Sequence, residues 1–243
     1  MRRVVASLVG LLALAACQPA VPSLPIAAPG LPPLAAPAST PQAPQGEFRI
    51  ALKSADGAGA RWNPCEPIRI VMNLQDAPAF AVSELNAAIA QIEEASGLDL
   101  VYQGTTTQRP TTHTFTNKAL YGDVWSPVLI SFASASEVPF DSPVASAFGK
   151  ARPVTNSLGR YQYVTGQVIL RPGAGWTAGV SSANPLRLML QHEIGHVLGL
   201  AHVASKQEIM GTGGNGSVRS WGPGDVRGLR ALGRQAGCLP PLV

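Results

Sequence analysis

The spacing of apolar and polar positions changes several times along the chain, and each change marks an element. Ile68 to Leu74 alternates in part and is rich in β-branched residues, which predicts a strand. Val82, Leu85, Ala88, Ile89 and Ile92 recur at helical spacing, predicting a helix over Val82 to Ser96 that Gly97 stops. Leu98 to Tyr102 returns to strand. Beyond a Thr-rich loop from Thr105 to Thr116, Val128 to Ala133 and Gly166 to Leu170 read as two further apolar strands, and Pro143 to Tyr163 between them offers at most an edge strand. The strongest helical pattern runs from Leu186 to Leu198, with Asn184 placed to cap it, Pro185 suited to its first turn and Gly199 at its end. A last helix is expected from Gly224 or Asp225 to Leu232. Strands and helices mix, with most of the sheet ahead of the long helix, so the class is α+β or a mixed-sheet α/β.

The first 46 residues follow no such pattern. Met1-Arg2-Arg3 precedes an apolar run from Val4 to Ala16 that is too short to span a bilayer, which reads as an export signal over 1–16. Its end, Leu14-Ala15-Ala16-Cys17, resembles the lipobox of bacterial lipoproteins, and the resemblance implies that Cys17 carries a lipid anchor to a membrane. An ordinary signal peptide and a freely secreted product is the alternative. From 17 to 46 the chain is nearly all Pro, Ala, Leu, Ser and Gln, the composition of an extended tether rather than a core. A folded pro-segment is the competing reading, which the composition disfavours. The remainder, 47–243, is then the folded domain.

Cysteine usage changes the picture further. With Cys17 lipidated, Cys65 and Cys238 remain as a pair near the two ends of the domain, where a disulfide would close a long loop; two unpaired thiols are the alternative. Formal net charge is +4, but Arg2 and Arg3 leave with the signal and the mature chain holds 16 basic against 14 acidic side chains. No basic run tracks a phosphate backbone, so no nucleic-acid partner is expected.

The chemistry sits in one short stretch, Gln-His-Glu-Ile-Gly-His-Val-Leu-Gly-Leu-Ala-His-Val over 191–203. On a helix, His192 and His196 share a face and can converge on one ion. Gly199 can leave the helix in a left-handed conformation and swing His202 back toward them. Three imidazoles leave a tetrahedral Zn2+ one open place for water, the arrangement of a catalytic site. Glu193, beside the first ligand, can take the proton of that metal-bound water as general base. A bare His-Glu-x-x-His also occurs by chance on amphipathic helices; the added Gly199 and His202, in a chain with four histidines, argue against chance.

These residues resemble the signature of the metzincin metallopeptidases, and Ile209-Met210-Gly211 looks like their methionine turn. Within that clan the matrixin-like branch is most similar, through Leu186 to His202 and through Gly224-Asp225-Val226-Arg227-Gly228-Leu229. The resemblance implies an α+β metzincin-like catalytic domain with a mixed, mostly parallel twisted sheet, an active-site helix about 185–198, and a small C-terminal subdomain about 200–243 with its own helix. It implies that Met210 lies as an apolar floor under the histidines, supported by Gly199. It also implies a zinc-dependent endopeptidase acting on protein or peptide substrates, expected as a monomer. Departures exist: no tyrosine follows Tyr163 to add a ligand, and neither a structural-zinc histidine set nor a cysteine-switch motif is present. The alternatives are a non-catalytic zinc-binding surface lipoprotein and a cell-wall peptide hydrolase.

Other candidates carry less. His113 sits among threonines and reads as surface loop. Asp99, Asp123 and Asp141 could bind calcium, but isolated aspartates usually cap turns, and no calcium site is assigned. Gly211 to Gly216 would lie, by the family layout, along the pocket wall for the residue after the cleaved bond; a plain surface loop is the alternative.

Overall fold

The computed structural model describes residues 46–112, 116–140, 142–181, 184–212, 217–240 and 242. The expected signal at 1–16, the tether up to 45, Cys17, His113, Asp141 and Gly213 to Gly216 lie outside these residues.

Among the described residues, seven strands and four α-helices follow in order: β1 (Arg49–Ile50), β2 (Ile68–Met72), α1 (Ala81–Ser96), β3 (Leu100–Thr105), α2 (Lys118–Tyr121), β4 (Val128–Phe132), β5 (Ala147–Thr155), β6 (Tyr161–Leu170), α3 (Leu186–Leu198), β7 (Leu200–Ala201) and α4 (Pro223–Leu232). The main sheet has the order β3-β2-β4-β6-β5. Every pairing in it is parallel except β5 with β6, so the antiparallel strand is an edge. Alternate residues of the central strands, Ile68, Ile70, Met72, Val128, Ile130, Phe132, Val168 and Leu170, point to one core, which α1 fills with Leu85, Ala88 and Ile92 and α3 with Leu190, Ile194 and Val197. The opposite face carries a smaller cluster of Ala133, Val138 and Ile169, against which Phe140 and Phe148 pack.

The expected helices and central strands agree with these bounds to within a few residues, and the fold is the expected α+β type with a mostly parallel sheet. Three differences have physical causes. First, β5 is nine residues long, though its sequence lacks apolar alternation; half-buried at an edge, it needs apolar contact from one side only. Second, Asn184 does not cap α3. Pro185 occupies the cap position, the Leu186 amide donates to the Thr177 carbonyl at 3.1 Å, and the Asn184 side chain instead donates to the Ala174 carbonyl. Third, β1 pairs antiparallel with β7, Arg49 opposite Ala201 and Ile50 opposite Leu200. Two-residue strands leave no period to read, yet this pair joins the start of the domain to the segment between His196 and His202.

Cys65 and Cys238 form a disulfide across 173 residues of sequence. The same junction is reinforced by Arg61, whose guanidinium donates to the Gly237 and Ala236 carbonyls, and by the Leu239 amide donating to Asn63 Oδ1.

Candidate metal centre

α3 ends where the sequence places a glycine. Gly199 takes φ 112°, ψ 11°, in the left-handed region, and its amide is shared between the Gly195 and His196 carbonyls. A side chain there would press on the Ala60 carbonyl at 3.0 Å and the Tyr163 ring at 3.1 Å. The chain reverses into β7 and returns His202 to the face of α3 that carries His192 and His196.

The three Nε2 atoms meet: His192 to His202 at 2.9 Å, His196 to His202 at 3.1 Å, His192 to His196 at 3.2 Å. Among the described residues these form the one cluster of three or more side chains able to hold a metal ion. The far side of each α3 histidine is held by a carbonyl. His192 Nδ1 donates to Ile209 O at 2.7 Å and His196 Nδ1 to Leu200 O at 2.8 Å. Those bonds put the ring protons on Nδ1 and leave bare Nε2 lone pairs aimed at one point, an arrangement that a cation relieves. Burial, with repulsion from His196, draws the His192 pKa down to about 4, and burial lowers His196 as well, so both rings are neutral. A tetrahedral zinc with Zn–N near 2.0–2.1 Å separates its nitrogens by about 3.3 Å. The triangle therefore needs to open by only a few tenths of an ångström, and the donor set fits that ion.

Glu193 is buried beside this cluster at 4 % exposure. Burial raises its pKa to about 8, against the opposing pull of the Gly149 amide on its carboxylate. Gly149 lies on β5, and a Cβ there would collide with the backbone oxygen of Glu193. The edge strand thus touches the helix at the residue next to His192.

The family model for matrixin peptidases matches residues 106–218, from the loop after β3 through α3 and the third histidine. Over those residues the chain is similar to the matrixin peptidases. No curated protein matches it. Met210 is buried under α3, with Sδ 2.7 Å from where a Cβ on Gly195 would stand; Gly195 lies between the two histidines of the helix, so the thioether lies beneath them. Asp99 and Asp123 are not brought together: Asp123 pairs with Lys118 at the surface, while the Asp99 carbonyl accepts the Ile68 amide.

Sequence reasoning missed the groups that hold the cluster in place. Asp225, at the start of α4, accepts the amides of Ile209 at 2.5 Å, Met210 at 3.2 Å and Gly222 at 3.1 Å. Glu208 answers from the turn, accepting the amides of Gly224 at 3.0 Å and Asp225 at 2.9 Å. Turn and helix are therefore clamped reciprocally, and the Ile209 carbonyl that orients His192 is part of the clamp. Burial lifts the Asp225 pKa to about 6 despite its three amide donors. A signal was present: after Ser142 the sequence holds three acidic residues, and apart from Glu193 they are these two.

Proposed function

We propose that the chain is a zinc-dependent endopeptidase, with His192, His196 and His202 as metal ligands and Glu193 as general base. The observation that carries this reading is the convergence of three Nε2 atoms within 3.2 Å of one another, with a buried carboxylic acid, Glu193, as the residue next to His192 on the same helix. A purely structural metal site has no use for that carboxylate. A bound zinc would supply Lewis-acid polarisation of a peptide carbonyl and activation of water. Glu193 takes the proton of the attacking water and passes it to the leaving amine. The Gly149 amide holds the carboxylate toward the reacting carbon, and the outer edge of β5 beside it offers unpaired backbone groups to an extended peptide.

Export and anchoring through a lipid on Cys17 complete the proposal. The Cys65–Cys238 disulfide supports an oxidising compartment. The partner is a protein or peptide substrate. The test is hydrolysis of a fluorogenic peptide library by the zinc-loaded protein with and without chelator, beside Glu193→Ala and His202→Ala. Glu193→Ala should retain zinc and lose cleavage by 10²-fold or more, roughly the worth of a general base; His202→Ala should lose tight zinc binding. Wild-type cleavage by Glu193→Ala, or full zinc occupancy in His202→Ala, refutes the assignment. Intact mass of the mature protein reads the lipid directly.

A further inference from the structure

After Ser142 the chain carries ten lysines and arginines and only three acidic residues, Glu193, Glu208 and Asp225. All three acids are buried, at 4, 3 and 1 % exposure. Among the described residues of this stretch, no acidic side chain reaches the surface, although the whole mature chain is close to neutral. Two of the cations, the exposed Lys206 and Arg219, line a cavity of about 340 Å³ together with Ser217, Ser220, Trp221 and Gly222. That volume suits a single amino-acid side chain and its first atoms of backbone. Neither cation has an ion-pair partner among the described residues, and Arg219 donates to the carbonyl of its own neighbour, Val218.

Trp221, on the cavity wall, packs beside Met210 against α3, its ring 3.6 Å from where a Cβ on Gly195 would stand, one residue before His196. The first amides of α4, on its other side, are already taken by Glu208 and Asp225. Whatever enters meets lysine, arginine and hydroxyl groups, while the Glu208 and Asp225 carboxylates lie behind Gly222 with their oxygens engaged by backbone amides.

We propose that this cavity is a subsite for a carboxylate, so that the enzyme prefers peptide substrates with Asp or Glu close to the scissile bond. This rests on the peptidase reading and deepens it. Lys206 and Arg219 are specificity residues, acting on the substrate's charge and not on the reacting atoms.

The test uses zinc-loaded mature protein and matched peptides that differ only in Glu, Gln or Lys at single positions flanking the cleaved bond. At one of those positions the Glu peptide should exceed its Gln counterpart in kcat/KM by roughly 5- to 30-fold, the worth of two partly exposed ion pairs. That ratio should shrink at about 0.5 M salt, where charges are screened within a few ångströms. The Lys206→Gln, Arg219→Gln double variant should bring the ratio near one, and the Lys206→Glu, Arg219→Glu variant should invert it toward the Lys peptide. Equal cleavage of Glu and Gln peptides at every position, or a ratio untouched in both double variants, overturns the proposal. Fluorescence anisotropy of the same peptides on Glu193→Ala protein separates the two readings. Tighter binding of the Glu peptide that depends on Lys206 and Arg219, with no peptide cleaved by wild type, keeps the anion subsite and removes the peptidase. Cleavage without charge preference does the reverse.

Discussion

Replacing Gly149 with alanine probes the contact between the edge strand and the active helix. A Cβ at this position would overlap the Glu193 backbone oxygen, with the Glu193 carbonyl carbon at 2.8 Å and its Cα at 3.1 Å. Gly149 does not have a positive φ, so alanine suffers no conformational penalty of its own and the whole effect is steric. The neighbour is helix backbone and not the end of a side chain, so strand and helix must separate by about 1 Å to restore van der Waals contact. Overpacking of this kind costs about 1–3 kcal/mol. For a domain of this size, that predicts a fall in Tm of about 3–10 °C. Activity should suffer more than stability, because the displaced strand takes its amide away from the Glu193 carboxylate. A misplacement near 1 Å at a reacting group costs about 10²-fold in rate. The assay is kcat/KM on a cleaved fluorogenic peptide at least 15 °C below the variant's Tm, roughly two expected shifts, with zinc content measured on the same sample. The loss should fall mainly on kcat with zinc bound stoichiometrically. A variant with wild-type kcat, or one whose lost activity follows lost zinc, refutes the argument that Gly149 positions the base.

Two further outcomes test the supports around the site. Asp225→Asn places an amide NH₂ against a backbone N–H and should cost about 1–3 kcal/mol for the buried donor left unpaired. The pH dependence has a definite sign: the folded pKa of Asp225, near 6, lies above its ordinary 3.8, so its contribution is full below pH 3.8 and is lost as pH rises through 6. Tm measured from pH 4 to 7 should show that slope in wild type and a flatter one in the variant, and parallel curves would refute it. Cys65→Ser opens a 173-residue loop and should lower stability by roughly 2–5 kcal/mol, read as the urea midpoint with and without reductant; coincident midpoints would show that the bridge contributes nothing.

Much of the site was legible because its chemistry is local. His192, His196 and His202 fall within eleven residues, helical spacing fixes the first two, and Gly199 is the one position in that stretch that needs a left-handed φ. The central strands were legible for a similar reason, since each is buried on both faces and has few polar interruptions. What escaped is what depends on partners far away in sequence. Gly149 looks like any strand glycine until β5 is seen against α3. The cap of α3 comes from the Thr177 carbonyl, and no residue type announces a backbone acceptor. Asp225 and Glu208 are 17 residues apart, and each accepts amides from the segment that carries the other.

The supports of the metal centre share one character, which bears on how the site tolerates change. His192 and His196 are oriented by the carbonyls of Ile209 and Leu200, and neither by a side-chain carboxylate. The Leu200 carbonyl belongs to β7, which is held by pairing with β1, and the Ile209 carbonyl belongs to the turn clamped by Asp225. These two imidazoles, set by backbone acceptors, have no ionised partner on their Nδ1 side, so a zinc ion held there would keep more of its charge than one beside a carboxylate-paired histidine. Ring orientation then depends on backbone position, which side-chain substitution at residues 200 or 209 alters only indirectly. The sensitive positions are therefore those that place these two peptides, namely Arg49 and Ile50 through the β1–β7 pair and Asp225 through the turn, although none of them touches the metal cluster.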